Sequence, residues 1–340
     1  MTTDSARPTL STVAAEVGVS VATVSKVLNG RSDVASGTRT RVEETIERLR
    51  YQRRPARPAT GPQLLQLVFH EHSSWGQEIL RGVEAVACQE RVSVVLSQLG
   101  GVHRPPQERL DDTLALRPLG VVFVLSEVSP TQRRQLAARS IPFVVVDTAG
   151  EPPPDVPTVG STNWSGALAA TRHLLALGHR RIAVVTGPTD VLCSRARLDG
   201  CRTALAEAGV ELDPSLVRYG NFHVEGGYAH GRELLSRPDR PSAVFAGSDF
   251  QALGVLRAAR ELGLRVPEDL SLVGYDDLPV ARWIGPALTT VRQPLQEMAS
   301  TATRMVLELA RGASLAAPRI DLATELVVRE STAPPGGDRA

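Results

Sequence analysis

The sequence predicts a small N-terminal domain of three helices, followed by an α/β body of two doubly wound lobes. Apolar residues recur at helical spacing over residues 10–49, which indicates amphipathic helices. From residue 63 onward, short apolar runs alternate with helical patterns, an order typical of a buried parallel sheet with helices on both faces. The runs are too many for one small sheet, and both IPFVVVDTAG and LSLVGYDD place an aspartate after an apolar run. We therefore expect two similar lobes.

The domain boundaries follow these changes of pattern. At 340 residues the chain is long enough for two or three domains. We expect a helical domain over residues 1–51, a basic proline-rich linker over 52–62, the body over 63–330, and a disordered tail over 331–340.

Charge is distributed unevenly along the chain. The formal net charge is +1, but residues 1–60 carry a net charge of +4 and residues 61–340 a net charge of −3. A basic head on a slightly acidic body points to an anionic partner, nucleic acid first. No apolar run is long enough to span a membrane, and MTTDSARPTL lacks the apolar core of a signal peptide. The three cysteines are widely spaced and odd in number, which fits the reducing cytoplasm and gives no zinc spacing.

Two short helices joined by a tight turn are predicted within TLSTVAAEVGVSVATVSKVLNG. Thr9 can cap the first helix, and Gly18 can end it because glycine adopts the left-handed conformation at no steric cost. Ser20 can cap a second helix over residues 21–28. This arrangement is a helix-turn-helix motif.

A third helix is expected over residues 36–49, with three apolar side chains facing inward: Val42, Ile46 and Leu49. A plain three-helix bundle without a partner is the alternative. The outer face of the second helix argues against it, because that face is polar but hardly charged, with Thr23, Ser25, Lys26 and Asn29. Short hydroxyl side chains let a helix lie close to phosphates, and its N-terminus favours an anion.

The run VAAEVGVSVATVSKVLNG resembles the head of the lac repressor/galactose repressor family of bacterial transcription regulators. The resemblance implies that Val21, Ala22 and Lys26 face base edges in the DNA major groove. It implies backbone contacts for Ser20, Thr23, Ser25 and Asn29. Position 26 is usually arginine in the family, whereas Lys26 is the only lysine of this chain and a more flexible donor to guanine. Two heads are expected to bind a palindromic operator in double-stranded DNA, which requires a homodimer.

The linker departs from the family pattern. Relatives use a short helix that wedges a leucine into the minor groove, but here the wedge position falls on Thr60, and Pro55 and Pro58 disfavour a helix. We expect a basic, partly extended linker in which Arg54 and Arg57 lie along phosphates or in the minor groove. A flexible tether is the alternative. Wedge-type bending of DNA is not expected.

The body is predicted to alternate strands and helices. The predicted strands are 64–69, 92–97, 120–125, 143–146, 182–186, 243–246 and 271–274. The predicted helices include 75–90, 165–178, 197–208 and 249–262.

Blocks along the body resemble the same family in order and spacing: HLLALGHRRIAVVTGP, SRARLDG, AVFAGSDFQALG, VPEDLSLVGYDD and LTTVRQP. The resemblance covers about residues 9–330 and implies a body similar to periplasmic sugar-binding proteins, with three crossovers between the lobes. It places lobe 1 at about 63–161 and 292–321, and lobe 2 at about 164–290 and 322–330.

Candidate ligand-binding residues lie where strands end, because ligands of doubly wound sheets bind outside the carboxyl ends of the strands. Asp147, Asp249 and Asp276 each follow an apolar run, and Arg197 is expected to begin a helix. Carboxylates accept and a guanidinium donates hydrogen bonds in pairs, which suits sugar hydroxyls. The alternative is that each aspartate caps the following helix.

The family resemblance adds to this set. It implies effector contacts for Asp147, Arg197 and Asp276, a contact position at Ser248 beside Asp249, and a sugar-stacking ring at Phe222. Trp75 opens the first helix of the body and is expected beside the cleft.

The run HEHSSW at residues 70–75 is a candidate metal site. In a strand, His70 and His72 would share a face and could bind a metal with a third ligand, but no partner with suitable spacing is visible. A rim of the sugar cleft or a polar loop is the favoured interpretation. No metal and no cofactor is expected.

Three classes of function would leave different signals in the sequence. An enzyme would need a phosphate loop or a nucleophile elbow, and the sequence has no GxxxxGK, no GxGxxG after a strand and no GxSxG. A transport binding protein would need a secretion signal. We therefore expect a cytoplasmic DNA-binding regulator and not an enzyme: by default a repressor of a carbohydrate uptake or utilisation operon, released by a small sugar. A corepressor-dependent regulator is one alternative, and a cytoplasmic sugar-processing enzyme is the alternative of a different class.

Overall fold

The computed structural model describes residues 9–28, 34–49, 51, 63–71 and 73–336. The linker expected over residues 52–62 lies outside this part of the chain, as do Asn29, Arg54 and Arg57. Within the described residues, no single helix is long and apolar enough to cross a membrane. The first two helices reach that length and apolar composition only when they are taken together, and they are bent by 106° relative to each other.

The head consists of three helices: α1 Leu10–Val17, α2 Val21–Leu28 and α3 Ser36–Arg48. The Thr9 side chain accepts a hydrogen bond from the Thr12 backbone N–H and so caps α1. Gly18 ends α1 with a left-handed φ of 73°. The backbone N–H of Thr23 donates to Ser20 Oγ at 3.0 Å, which caps α2. Both predicted caps and the predicted stop of α1 are confirmed.

The three helices of the head enclose one apolar core. Its buried members are Val13, Ala14, Val24, Val27, Leu28 and Val42, with Ile46 and Leu49 packed against them. Ala14 is 4% exposed, so its small side chain lies in the contact between the helices. Mutual packing therefore stabilises α2, whose eight residues would be too few to form a helix alone.

The body contains two six-stranded sheets. The strands are β1 Leu64–Phe69, β2 Ser93–Gln98, β3 Gly120–Val124, β4 Phe143–Val146, β5 Thr158–Ser161, β6 Ile182–Thr186, β7 Val217–Tyr219, β8 Ala243–Ala246, β9 Ser271–Asp276, β10 Thr289–Arg292, β11 Arg319–Leu322 and β12 Glu325–Val327. The first sheet has the strand order β11-β5-β4-β3-β1-β2 and the second β12-β10-β9-β8-β6-β7. All neighbouring strands pair in parallel except β10 and β12, which are antiparallel.

Nine helices of the body connect these strands in the described residues. They are α4 Ser74–Gln89, α5 Gln107–Leu116, α6 Pro130–Ala138, α7 Asn163–Ala176, α8 Leu192–Glu207, α9 Val224–Leu235, α10 Asp249–Glu261, α11 Val280–Trp283 and α12 Leu295–Ala310. A short 3-10 turn, Pro214–Leu216, precedes β7.

The two-lobed, doubly wound architecture is confirmed. Lobe 1 contains the sheet of β1 and lobe 2 the sheet of β6, and the chain crosses between them after β5, after β10 and after β11. β5 ends at Ser161, β10 at Arg292 and β11 at Leu322, so the crossovers begin at these residues.

Apolar side chains cover both faces of each sheet. In lobe 1, α12 packs against α4 at Gly82, where a β-carbon would overlap the carbonyl oxygen of Gln296. Glycine at this position therefore allows close contact between two helices that come from distant parts of the sequence.

One helix begins earlier than expected. α8 begins at Leu192, so Arg197 lies in its second turn and does not begin the helix. The preceding residue, Val191, is buried, and the Leu192 backbone N–H donates to the Ala149 carbonyl of lobe 1 at 2.7 Å. These contacts hold the first turn, although VLCS alone is not a strong helix signal.

The expectation of a disordered tail from residue 331 is wrong for residues 331–336. Ser331 is 1% exposed, and its hydroxyl donates to the Leu272 carbonyl at 2.6 Å and accepts from the Thr289 backbone N–H at 2.8 Å. The Ala333 carbonyl lies 2.9 Å from Nε2 of the buried His179. The segment STAPPG is fixed by polar contacts to β9 and β10, which its composition does not reveal.

We expect Ser331→Ala to lower the free energy of unfolding by about 1–3 kcal/mol, because two buried backbone groups lose their partner. Urea unfolding followed by circular dichroism measures the change. Ser93→Ala, at an exposed position of β2, is the matched control and should have no measurable effect. Equal stabilities of Ser331→Ala and Ser93→Ala would contradict the fixed tail.

Candidate functional site

A cavity of about 320 Å³ lies between the two lobes. Its walls come from the carboxyl ends of strands in both sheets, which is where a ligand of doubly wound lobes binds. Six of the seven predicted effector-binding residues line it: Trp75, Asp147, Arg197, Phe222, Ser248 and Asp276. The structure therefore brings together residues that are more than 200 positions apart in the sequence.

Two aspartates face the cavity from opposite lobes. Asp147 follows β4 in lobe 1, and Asp276 ends β9 in lobe 2. Both have a positive φ, 48° for Asp147 and 113° for Asp276. This turns the chain sharply at the strand end, and aspartate tolerates the conformation better than most residues. Each is only 6% exposed.

Arg197 is the cation of the cleft and is held from several sides. Its Nε donates to Asn163 Oδ1 at 2.8 Å and its Nη1 to the Gly247 carbonyl at 2.5 Å. The guanidinium carbon lies 3.7 Å from the ring centroid of Tyr275, a cation–π contact. Nη1 is also 3.8 Å from Asp276 Oδ1. Nη2 has no recorded partner among the described residues, so this nitrogen can donate to a ligand.

Burial dominates the electrostatics of the two aspartates. It raises the pKa of Asp147 to about 6, against the opposing effect of Arg197. It also raises the pKa of Asp276, against Arg197 and the Gln293 hydrogen bond. Burial alone would lower the pKa of Arg197, but its neighbours, Cys193 and Tyr275 first, raise it, so the guanidinium stays charged. The cleft thus holds two carboxyl groups that are costly to ionise and that a hydroxyl donor can stabilise.

The prediction that Asp249 contacts the ligand is wrong. Asp249 is fully buried away from the cavity, where its carboxylate accepts hydrogen bonds from the Leu278 backbone N–H at 2.7 Å and from Thr290 Oγ1 at 2.5 Å. Burial first, and Asp276 second, raise its pKa. It fixes the loop after β9 in place and so supports Asp276.

Ser248 lines the cavity, but its hydroxyl is already engaged. It accepts from the Gln251 backbone N–H at 3.1 Å, which caps α10, and donates to the Phe222 carbonyl at 2.8 Å. Ser248 therefore shapes the wall by holding Phe222.

Aromatic rings form the apolar part of the wall. Phe222 has a left-handed φ of 66°, and its ring lies against Gly187, where a β-carbon would overlap it. Trp75 contributes from the first turn of α4. Sequence reasoning missed Phe69 and Phe250, which also line the cavity. Phe69 is the last residue of β1, and Phe250 lies in the first turn of α10. A position at the end of a strand or the start of the next helix is the same signal that identified the aspartates.

A polar group on the rim joins the two lobes, and sequence reasoning missed those of its members that lie outside HEHSSW. It consists of His70, Glu71 and His103 of lobe 1 and His223 of lobe 2. His223 Nε2 lies 2.9 Å from Glu71 Oε1. The described part of the chain contains no group of three or more His, Cys, Asp or Glu side chains that could hold a metal ion. His72 lies outside that part.

Hydrogen bonds link the crossovers to the cleft. Gln293, on the second crossover, donates from Nε2 to Asp276 Oδ1 at 2.6 Å. Its Oε1 accepts from Ser161 Oγ, at the first crossover, at 2.7 Å. Thr162 Oγ1 lies 3.0 Å from Thr324 Oγ1, which joins the first crossover to the third. A change at Asp276 therefore reaches the joint between the lobes through one side chain.

In the head, six of the residues predicted to contact DNA lie in α2 or directly before it. Ser20, Val21, Ala22 and Lys26 are exposed, whereas Thr23 and Ser25 are partly buried. Val21 is 46% exposed. The residues Asn29, Arg54 and Arg57 are not among those described, so their predicted DNA contacts stay predictions.

A helix-turn-helix head joined to a two-lobed body with a polar cleft defines a class: transcription regulators whose DNA binding a small ligand controls. Two family matches agree with this class. Residues 9–54 match bacterial regulatory proteins of the lacI family, and residues 171–332 match a periplasmic binding protein-like domain.

The chain belongs to the lacI family of DNA-binding transcriptional regulators, which are not enzymes. It is 36% identical over 334 residues to the HTH-type transcriptional regulator CelR of Thermobifida fusca, covering 96% of this chain and 98% of CelR. A solved complex of CelR with cellobiose has a TM-score of 0.72 at 36% identity, covering 96% of this chain and 100% of that chain. The lac repressor dimer bound to operator and the anti-inducer ONPF has a TM-score of 0.70 at 28% identity, covering 96% and 99%.

We expect Asp147→Asn to stabilise the ligand-free protein. Because burial raises the pKa of Asp147 from 3.8 to about 6, the wild type loses stability as the pH rises between these values, and the loss persists above them. A shift of this size corresponds to at most about 3 kcal/mol. Urea unfolding should show the variant more stable by about 1–3 kcal/mol at pH 8, with a gain that shrinks towards pH 4.

The matched control is Asp190→Asn, which changes an exposed aspartate of lobe 2 and should leave the unfolding curves unchanged at both pH values. A stability difference for Asp147→Asn that is the same at pH 8 and pH 4 would contradict the raised pKa.

Proposed function

We propose that this protein represses a carbohydrate uptake or utilisation operon in the cytoplasm, binds a palindromic operator as a homodimer, and is released by a small sugar bound between the lobes. The proposal rests mainly on three charged side chains that line the cleft: Asp147 from lobe 1, Asp276 from lobe 2, and Arg197, whose guanidinium lies near Asp276. A sugar with several hydroxyls can satisfy all three groups at once.

The walls of the cleft support a sugar over other ligands. The aromatic rings of Trp75 and Phe222 offer flat apolar surfaces to the C–H faces of a pyranose. Arg197 is the one cation among the cavity-lining residues described, and Asp276 is its near neighbour. An anionic ligand would meet these carboxylates, so a neutral polyol fits better. The relative solved with cellobiose supports this class of ligand.

The head supports operator binding. A single α2 reads only a half-site, and a second copy supplies the other half with two-fold symmetry. The relative solved as a dimer on its operator supports this arrangement. Trp283 at the end of α11 is 86% exposed, and a protein partner such as a second copy would cover this large apolar side chain.

The release mechanism is a shift between two arrangements of the lobes. A sugar that contacts Asp147 and Asp276 together favours the closed arrangement, because only closure brings both within hydrogen-bond distance of it. Gln293 links Asp276 to Ser161, so closure moves the crossovers and hence the two heads of the dimer relative to each other. The coupling is reciprocal, so operator DNA should weaken sugar binding by the same factor.

Fluorescence anisotropy on labelled DNA from upstream of the protein's own gene and its neighbours tests the proposal. We expect specific binding to a palindrome, much weaker binding to one half-site, and release by one sugar of a panel containing cellobiose, xylobiose, lactose, maltose, D-glucose and D-ribose. Asp147→Asn is the control and should bind the operator without responding to the sugar. DNA binding that strengthens on addition of a sugar would instead establish the corepressor alternative. The absence of specific DNA binding would contradict the operator proposal.

We expect Lys26→Arg to change the base preference at one position of each half-site, because a rigid fork replaces a flexible point donor. The change in discrimination should be about 1 kcal/mol, the lower end of what one base contact contributes. A binding selection from randomised operators measures it. Arg41→Lys, an exposed change on α3, is the control and should leave the base preference unaltered. An unchanged preference for Lys26→Arg would remove Lys26 from direct readout.

A further inference from the structure

Two side chains on the rim of the cleft connect one lobe to the other. Glu71 lies in the loop after β1 of lobe 1, and His223 directly precedes α9 of lobe 2. His223 Nε2 lies 2.9 Å from Glu71 Oε1, and Nε2 is the donor because a carboxylate only accepts hydrogen bonds. The contact therefore exists only while the two lobes are close together at this rim.

The exposure of the two side chains places them at the mouth of the cavity. Glu71 and His223 are 30% and 37% exposed, yet both line the cavity. The side chains of Arg197 and Asp276, which also line it, are only 4% and 6% exposed. A ligand held by these inner groups must therefore extend towards the Glu71–His223 pair if it outgrows the inner part of the cavity.

The backbone on each side of the pair is held by hydrogen bonds. The His223 backbone N–H donates to Asn221 Oδ1 at 3.2 Å. In lobe 1, the carbonyl of His70, the residue before Glu71, accepts from the Gly101 backbone N–H at 3.1 Å. Because the two side chains start from fixed backbone, they lose less conformational freedom when they pair.

The lobes also touch at two other places near the cavity. The Leu192 backbone N–H of lobe 2 donates to the Ala149 carbonyl of lobe 1 at 2.7 Å. Leu278 of lobe 2 is 1% exposed and belongs to the apolar core of lobe 1. The Glu71–His223 pair differs from these two contacts because both of its side chains line the cavity and are partly exposed, so a ligand can reach and separate them.

We propose that Glu71 and His223 form a latch that closes only over a short sugar, so that the protein selects its effector by length. The inference rests on the proposed function of the cleft as a sugar site. A sugar that ends behind the pair leaves its hydrogen bond intact, and closure of the lobes gains the contribution of that bond. A sugar with a further ring towards the mouth separates the two side chains and loses that contribution.

The size of the cavity determines which sugars count as short. Its volume of about 320 Å³ lies at the lower end of the range for small-molecule sites, roughly 300–1,000 Å³. A sugar of one or two rings is therefore the expected ligand behind the latch. An oligosaccharide of three or more rings would project past it.

Calorimetric titration of the full-length protein tests the latch. The tightest-binding sugar of the panel named above is compared with the same sugar lengthened by one ring and by two, for example cellotriose and cellotetraose for cellobiose. The variants are Glu71→Ala, His223→Ala and the double variant. The His223 side chain makes no capping hydrogen bond to α9, so its removal does not uncap this helix. The matched controls are Glu233→Ala and His230→Ala, which remove side chains from contacts inside lobe 2.

We expect the wild type to bind the parent sugar more tightly than the lengthened ones. Glu71→Ala and His223→Ala should each bind the parent about 3-fold more weakly, which is the size of one partly exposed pair, and should bind the lengthened sugars as the wild type does. The double variant should lose no more than either single variant, because both changes remove the same contact. The two control variants should behave as the wild type.

Two results would overturn the inference, and they differ from each other. A wild type that binds no sugar of the panel removes the sugar function and the latch with it. If the wild type binds a sugar, only the latch is removed when the Glu71 and His223 variants keep the wild-type ratio of affinities for the parent and the lengthened sugars. Two single variants keep the test valid if one of them does not fold.

Discussion

The arrangement of the cleft depends on one buried chain of hydrogen bonds, from Ser161 through Gln293 to Asp276. Gln293 is 4% exposed and lies where the chain returns to lobe 1, so its amide bonds the Asp276 carboxylate of the cleft on one side and Ser161 of the first crossover on the other. A buried amide that is satisfied at both ends has little freedom to change its geometry. Any ligand that moves or ionises Asp276 must therefore act on the connection between the lobes.

Function at this cleft is obtained at the expense of stability. Asp147 and Asp276 are removed from water by lobes that also bury apolar surface, and burial raises the pKa of both. Arg197 offsets part of this cost, since its guanidinium lies 3.8 Å from Asp276 and over the ring of Tyr275. In lobe 1, the buried Nε2 of His70 has no hydrogen-bond partner among the described residues. The strained φ angles and the unpaired polar atom occur at the same strand ends, as expected for a site prepared for a ligand.

Most of the architecture could be predicted from the sequence because the long central strands are continuous apolar runs and the first helices have clear caps. The short outer strands, such as β7 and β12, escaped prediction because three residues are too few for a periodic pattern. Asp147 and Asp276 were found by their position after a strand. Asp249 has the same position, and only tertiary packing directs its carboxylate to Leu278 and Thr290, away from the cavity.

The order of elements along the chain also determines when each lobe can be completed during synthesis. Lobe 1 lacks α12 and β11 until residue 322 has been made, and lobe 2 lacks β12 and the Ser331 contacts until residue 331 has been made. Met298, Ala302 and Val306 of α12 belong to the core of lobe 1, so the nascent lobe has an open apolar surface before they arrive. Because domains on the ribosome fold once their residues have emerged, both lobes become complete almost together, when residues 322–331 have emerged.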